Sequence, residues 1–108
     1  MQDTLEGLYA VVQGRKAEPQ EGSYNCYLFE KGLDKILKKC GEECSEVIIA
    51  AKNGVQEETV GEICDLLYHL LVMMVDQGIP LDAVEAELEQ RRKKIGNLKQ
   101  FHVSDHNT

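Results

Sequence analysis

Glu42, Glu43 and Glu46, followed by Glu62 and Asp65, are the residues of this chain whose type and spacing could do chemistry. At about 100° per residue, the first three fall within roughly a 100° arc of one helix. Glu62 and Asp65, at i and i+3, share a face of the next. Packing the two faces together without a counter-ion forces like charges into contact, which is strongly unfavourable. A cluster of oxygen-only ligands suits a hard cation such as Mg²⁺. Two such ions would polarise a phosphoryl oxygen and lower the pKa of an attacking water. Lys35 and Lys39 share the arc one or two turns earlier, where ammonium groups would meet a phosphate chain. The bland alternative is a solvated face with Lys39–Glu43 and Lys38–Glu42 pairs. Lys before Glu is the weaker order for such pairs, and the second acidic couplet favours the metal. His69, one turn beyond Asp65, could hydrogen-bond behind a ligand, touch substrate or simply pack, and Tyr68 points nearer the core.

Helices must position these groups. Leu5, Leu8, Tyr9 and Val12 form a short amphipathic stripe ending near Gly14, and Arg15 to Gly22 reads as a loop. Ser23 is a candidate N-cap for a helix from Tyr24 to about Lys31. A long helix follows from about Leu33 to Asn53, closed by Asn53-Gly54. Its stripe is Leu33, Ile36, Leu37, Cys40, Cys44, Val47, Ile48 and Ala51, and the all-apolar stretch Val47 to Ala51 implies burial on more than one side. Another runs from about Glu57 to Gln77 and stops at Gly78 and Pro80. Its broad apolar face opposes Glu58, Glu62, Asp65, His69 and Asp76. Gly41 and Gly61 inside these helices suggest close helix approach. Asp82 and Glu85 resemble a capping box opening a last helix, with Val84, Leu88 and Ile95 inward and Arg91 and Arg92 suiting its C-terminal dipole. The tail from Asn97 reads as loosely held.

The expectation is therefore an all-α protein, residues 1–108 forming one domain. The long helices form an antiparallel hairpin. One hairpin cannot bury this much apolar surface, so two chains should pair as a four-helix bundle, a homodimer or a higher multiple.

A net charge of −7 argues against general nucleic-acid binding. No apolar run approaches the roughly 20 residues of a membrane span. The N-terminus Met1-Gln2-Asp3-Thr4 lacks the pattern of a signal peptide. Cys26, Cys40, Cys44 and Cys64 form no C-x-x-C pair and read as reduced thiols of a cytoplasmic protein.

The acidic pattern E-E-x-x-E then E-x-x-D resembles the all-α nucleotide pyrophosphohydrolases, the MazG-like superfamily. Ser23-Tyr24, Leu28-Phe29, Lys31-Gly32, Lys35-Ile36, Lys39, Gly41-Glu42-Glu43, Glu46 through Lys52, and Glu62-x-x-Asp65-Leu66-x-Tyr68-His69 narrow the resemblance. Together they are similar to the phosphoribosyl-ATP pyrophosphohydrolase family of histidine biosynthesis, over roughly Leu5 to Arg92. Asn25 stands where that family usually has Thr, and Cys40, Cys44 and Cys64 replace small aliphatic residues.

The resemblance implies Mg²⁺-dependent hydrolysis, with Mn²⁺ as the alternative ion, of phosphoribosyl-ATP to phosphoribosyl-AMP and pyrophosphate. It implies Glu43, Glu46, Glu62 and Asp65 as metal ligands, and Glu42 as the group that positions or deprotonates water or adds a ligand. Lys31, Lys35, Lys39 and Lys52 would meet phosphates, as would Arg91 or Arg92 if the last helix folds over the site. Tyr24 would reach the substrate or pack its ring, and His69 would contact the substrate or serve a structural role. Many relatives are fused to the cyclohydrolase of the next step. Here that activity is expected on another chain, with which contact is conceivable. Three other readings remain: a house-cleaning nucleoside triphosphate pyrophosphohydrolase, a non-catalytic helical dimerisation module, and a cysteine-based metal or redox protein.

Overall fold

Two glycines set the geometry of the central hairpin. Gly54 and Gly78 adopt left-handed backbone (φ 78° and 72°), the conformation that ends a helix at no side-chain cost. Gly54 N–H closes onto the carbonyls of Ala50 and Ala51. The helix before it, α3 (Leu33–Asn53), therefore turns within two residues into α4 (Gln56–Gln77). These two make the most extensive contact in the chain. The computed structural model describes residues 2–94. Its other elements are α1 (Gln2–Ala17), α2 (Tyr24–Lys31) and α5 (Leu81–Lys93), and no strand occurs among the described residues. The all-α expectation holds.

The apolar stripes of α1, α2, α3 and α4 meet in one core. Val12, Leu28, Ile36, Val72 and Val75 are buried there, with Tyr9, Phe29, Tyr68 and Met73 packed around them. Leu71, Met74 and Leu81 form a second cluster beneath Leu5 and Leu8. The Tyr9 hydroxyl donates to the Ile79 carbonyl at 2.8 Å, fixing α1 to the turn after α4.

Several local expectations need correction. Helix α1 does not end near Gly14. It runs on to Ala17, and Lys16 anchors its end over the Phe29 ring and beside Asp76. Ser23 holds the N-cap position of α2 with an extended backbone, but its side chain makes no cap hydrogen bond. Helix α4 spans Gln56–Gln77, as expected to within one residue. Asp82 lies inside the first turn of α5, whose cap position is Pro80, so no capping box forms. Leu81 is the only buried residue of α5, while Val84 and Leu88 are exposed. The helix leaves the core after its first residue. Ile95 and the tail from Asn97 lie outside the described residues.

The stretch Val47 to Ala51 is covered on one side only within the chain: Ala50 is buried, whereas Ile48 is 69% exposed. A β-carbon at Gly41 or Gly61 would meet nothing within 4 Å, so close helix approach inside the chain explains neither.

Ile36, without exposed surface and held between three helices, is the strictest packing test. Ile36→Ala should lower unfolding free energy by about 2–5 kcal/mol, read by urea denaturation. A loss below about 1 kcal/mol would show that the core closes around the void.

A candidate metal and phosphate site

Because α3 and α4 run antiparallel, the middle of one lies beside the first half of the other. Glu43, Glu62 and Asp65 consequently each place a carboxylate oxygen within 4.8 Å of the others. Glu43 is half-buried and Glu62 is partly covered. Glu62 shows the strain of this arrangement. Its carboxyl is raised above the ordinary range by partial burial, then by the charges of Asp65 and Glu46, a hydrogen bond to Asp65 and the charge of Glu43. Glu46 is thus within electrostatic reach, one turn past Glu43.

Below this cluster a groove of about 440 Å³ opens between the helices, with Glu46, Asn53, Glu58, Glu62 and Asp65 on its walls. Gly61 also lines it. With no side chain there, the groove has an unobstructed backbone floor.

On the other side stands Lys39. Its ammonium lies 3.3 Å from Glu42 and 3.9 Å from Glu43. The hydrogen bond to Glu42 holds it more firmly protonated than an isolated lysine, against the opposing effect of burial. The Lys38–Glu42 pair considered from spacing is replaced by Lys39–Glu42.

His69, 5% exposed, lies on the same helix face but beneath the acids rather than in solvent. Its Nδ1 is 2.7 Å from the Asp65 carbonyl, which can only accept, so Nδ1 carries a proton. In the tautomer with the proton on Nδ1, Nε2 accepts from the Tyr24 hydroxyl at 3.0 Å. Burial raises the Tyr24 phenol, with Lys39 opposing and Glu43 reinforcing. Tyr24 stacks on Tyr68 and Tyr27, each at 6.0 Å between centroids. Tyr68 donates to the buried Asn25 side chain, and burial pushes its phenol up to about 12.

The basic residues divide. Lys35 is half-buried one turn before Lys39. Lys31 sits 5.7 Å over the Tyr27 ring. Lys52 is exposed in the last turn of α3. Arg91 and Arg92 pair with Glu87 and Glu89 of their own helix, and among the described residues no ion pair joins them to the acids. The four thiols are unpaired. Cys40 donates to the His69 carbonyl at 3.5 Å, and burial raises its thiol.

Residues 5–92 match the family described as phosphoribosyl-ATP pyrophosphohydrolase. The chain belongs to that family. It is 60% identical over 97 residues to a phosphoribosyl-ATP pyrophosphatase of Clostridium botulinum (strain Kyoto / Type A2), covering 90% of this chain and 88% of the relative. Relatives of the same name from Clostridium novyi (strain NT) and Listeria monocytogenes serotype 4b (strain CLIP80459) are 52% and 53% identical. These cover 90% and 88% of this chain, and 88% and 91% of the relative, respectively.

Membership in the phosphoribosyl-ATP pyrophosphohydrolase family is consistent with use of a divalent metal, and the all-oxygen donor set fits a hard cation. Sequence reasoning missed Asn53 and Glu58 as groove residues. Glu58 at i−4 from Glu62 carried the signal; Asn53 was absorbed by its helix-ending position. It also missed that Asn25 holds Tyr68, a contact invisible to spacing.

The raised Glu62 carboxyl gives a signed prediction. A carboxyl that keeps its proton to higher pH in the folded state stabilises the fold at low pH. That contribution is lost as pH rises from the ordinary carboxylate range through the raised value. Metal-free protein at pH 7 should therefore gain thermal stability in Glu62→Gln, and millimolar Mg²⁺ should raise Tm more for the parent than for this variant. Scanning fluorimetry showing equal metal responses would remove Glu62 from the ion's ligands.

Proposed function

We propose that this chain hydrolyses phosphoribosyl-ATP to phosphoribosyl-AMP and pyrophosphate, the second step of L-histidine biosynthesis. The observation that carries the reading is the convergence of Glu43, Glu62 and Asp65 in a chain of this family. Glu43, Glu46, Glu62 and Asp65 would hold Mg²⁺, or Mn²⁺ as the alternative. A bound ion would supply polarisation of a phosphoryl oxygen and a more acidic attacking water.

The chain's own groups do the rest. Lys39, kept charged by Glu42, would neutralise and orient the phosphates, with Lys35 one turn away. Lys31 and Lys52 are more distant phosphate candidates. Glu42, the most exposed acid of the Lys39 cluster, would take the proton of the water and release it to solvent. The water adds across the α–β phosphoanhydride and pyrophosphate leaves. His69, with Nδ1–H on the Asp65 carbonyl and Nε2 on Tyr24, would hold that stretch of α4 in place.

The assembly we infer is a homodimer. Leu37, Ile48 and Ile49 of α3 and Val60 and Ile63 of α4 are all exposed, apolar surface that a second hairpin would cover as a four-helix bundle. Arg91 and Arg92 join the site in this reading only if α5, or a partner's α5, folds across it. The shared core of α1 to α4 supports one domain. The free thiols support a reducing, cytoplasmic setting, and no described helix is long and apolar enough to cross a membrane. A cyclohydrolase activity would take up the phosphoribosyl-AMP.

Pyrophosphate release from phosphoribosyl-ATP should require added divalent ion and exceed release from any dNTP. Faster dNTP turnover would instead indicate a house-cleaning enzyme. Glu46→Gln and Asp65→Asn should each lower kcat by about 10²–10³-fold with helicity by circular dichroism unchanged; near-normal rates would refute the ligand assignment. For the assembly, Ile48→Glu should convert a dimer to a monomer in light scattering. An unchanged mass would move the interface elsewhere.

A further inference from the structure

Beside Tyr24, on the side away from the core, the loop before α2 and the first two turns of that helix enclose a cleft of about 500 Å³. That is within the range of small-molecule sites, roughly 300–1,000 Å³. Its walls are Pro19, Tyr24 and Tyr27, with Ser23 and the carboxylates Glu21 and Glu30 also lining it. Tyr24 and Tyr27 are 43% and 42% exposed, a large fraction for stacked rings. The Ser23 hydroxyl is not spent on capping α2.

Tyr24 belongs to both this cleft and the acid cluster. Its hydroxyl reaches His69, which rests on the Asp65 carbonyl, and its phenol feels the charges of Lys39 and Glu43. A molecule with its phosphates beside Lys39 would therefore find this cleft next to them. Glu21 and Glu30 repel phosphate, so the cleft suits the other end of a nucleotide.

We propose that this cleft seats the purine of the substrate and selects an adenine substituted at N1 over ordinary adenine. The inference rests on the phosphoribosyl-ATP reading. Substitution at N1 makes the amidine of the ring far more basic, because the protonated form spreads its charge over N1, C6 and N6. Such a ring is a flat cation near neutral pH, whereas ordinary adenine is neutral. Flat cations bind on aromatic faces and beside carboxylates. Tyr27 already attracts a cation, the Lys31 ammonium 5.7 Å from its ring centroid, which the purine would displace. Phosphates elsewhere supply affinity common to all nucleotides, and this cleft supplies the discrimination.

The test compares AMP with N1-methyl-AMP by calorimetry at pH 7, on the full chain with Mg²⁺. The parent should bind the methylated nucleotide about tenfold more tightly. In Tyr27→Ala, and independently in the surface double variant Glu21→Gln/Glu30→Gln, the ratio should fall toward one. Tyr27→Phe should keep it. For phosphoribosyl-ATP, Tyr27→Ala should raise KM about tenfold and leave kcat within about twofold, a split that general loosening of the fold would not produce. Equal binding of the two nucleotides by the parent, or an unchanged preference in both variants, would overturn the proposal. Absence of phosphoribosyl-ATP turnover in the parent would strike the proposed reaction, while the binding ratio would still decide the cleft.

Discussion

Like charges held together by apolar packing are the constraint on which this molecule turns. Asp65 sits about two turns, and Glu62 nearly three, before Val72 on the helix that carries Val72 and Val75 into the core, and Glu43 sits on the helix that carries Ile36 there. The core fixes the rotation of both helices, and that rotation brings the carboxylates within 4.8 Å. Glu62 resists ionisation, first through its partial burial and then through the charges of its neighbours. Lys39 offsets part of the negative charge from one side, reaching Glu42 and Glu43. The all-oxygen cluster fits a divalent cation, since one ion meets several carboxylates at once.

A layer of rings transmits this geometry outward. Asn25 accepts from Tyr68, Tyr68 stacks on Tyr24, and Tyr24 donates to the histidine that anchors the Asp65 carbonyl. The short helix α2 is thereby registered against α4 through polar contacts in an otherwise apolar interface. Buried polar groups are costly unless paired, and among the described residues no buried side-chain polar atom lacks a partner. The same layer gives the acid cluster an aromatic neighbour facing the loop before α2.

The core is one-sided. Helix α3 buries Ile36 and Ala50 but leaves Leu37, Ile48 and Ile49 to solvent, and α5 buries only Leu81. The exposed half of the hairpin stripe matches the excess apolar surface in the sequence.

The helices themselves were legible in the chain. Leu33–Asn53 follows from periodicity and from Gly54, which ends the helix by adopting left-handed backbone, and Tyr24–Lys31 from Ser23 at the cap position, all properties of neighbouring residues. The acidic couplets were legible for the same reason: i, i+3 spacing sets a shared face whatever the helix packs against. Which acids meet was not, because it depends on how two helices rotate about a common core; thus Glu43, Glu62 and Asp65 converge while Glu46 lies along the groove. Gly61 as a groove floor, Asn25 as the partner of Tyr68 and the outward turn of Val84 and Leu88 were likewise decided by tertiary structure. Each is a relation between segments far apart in the chain, and spacing along one helix carries no information about what faces it.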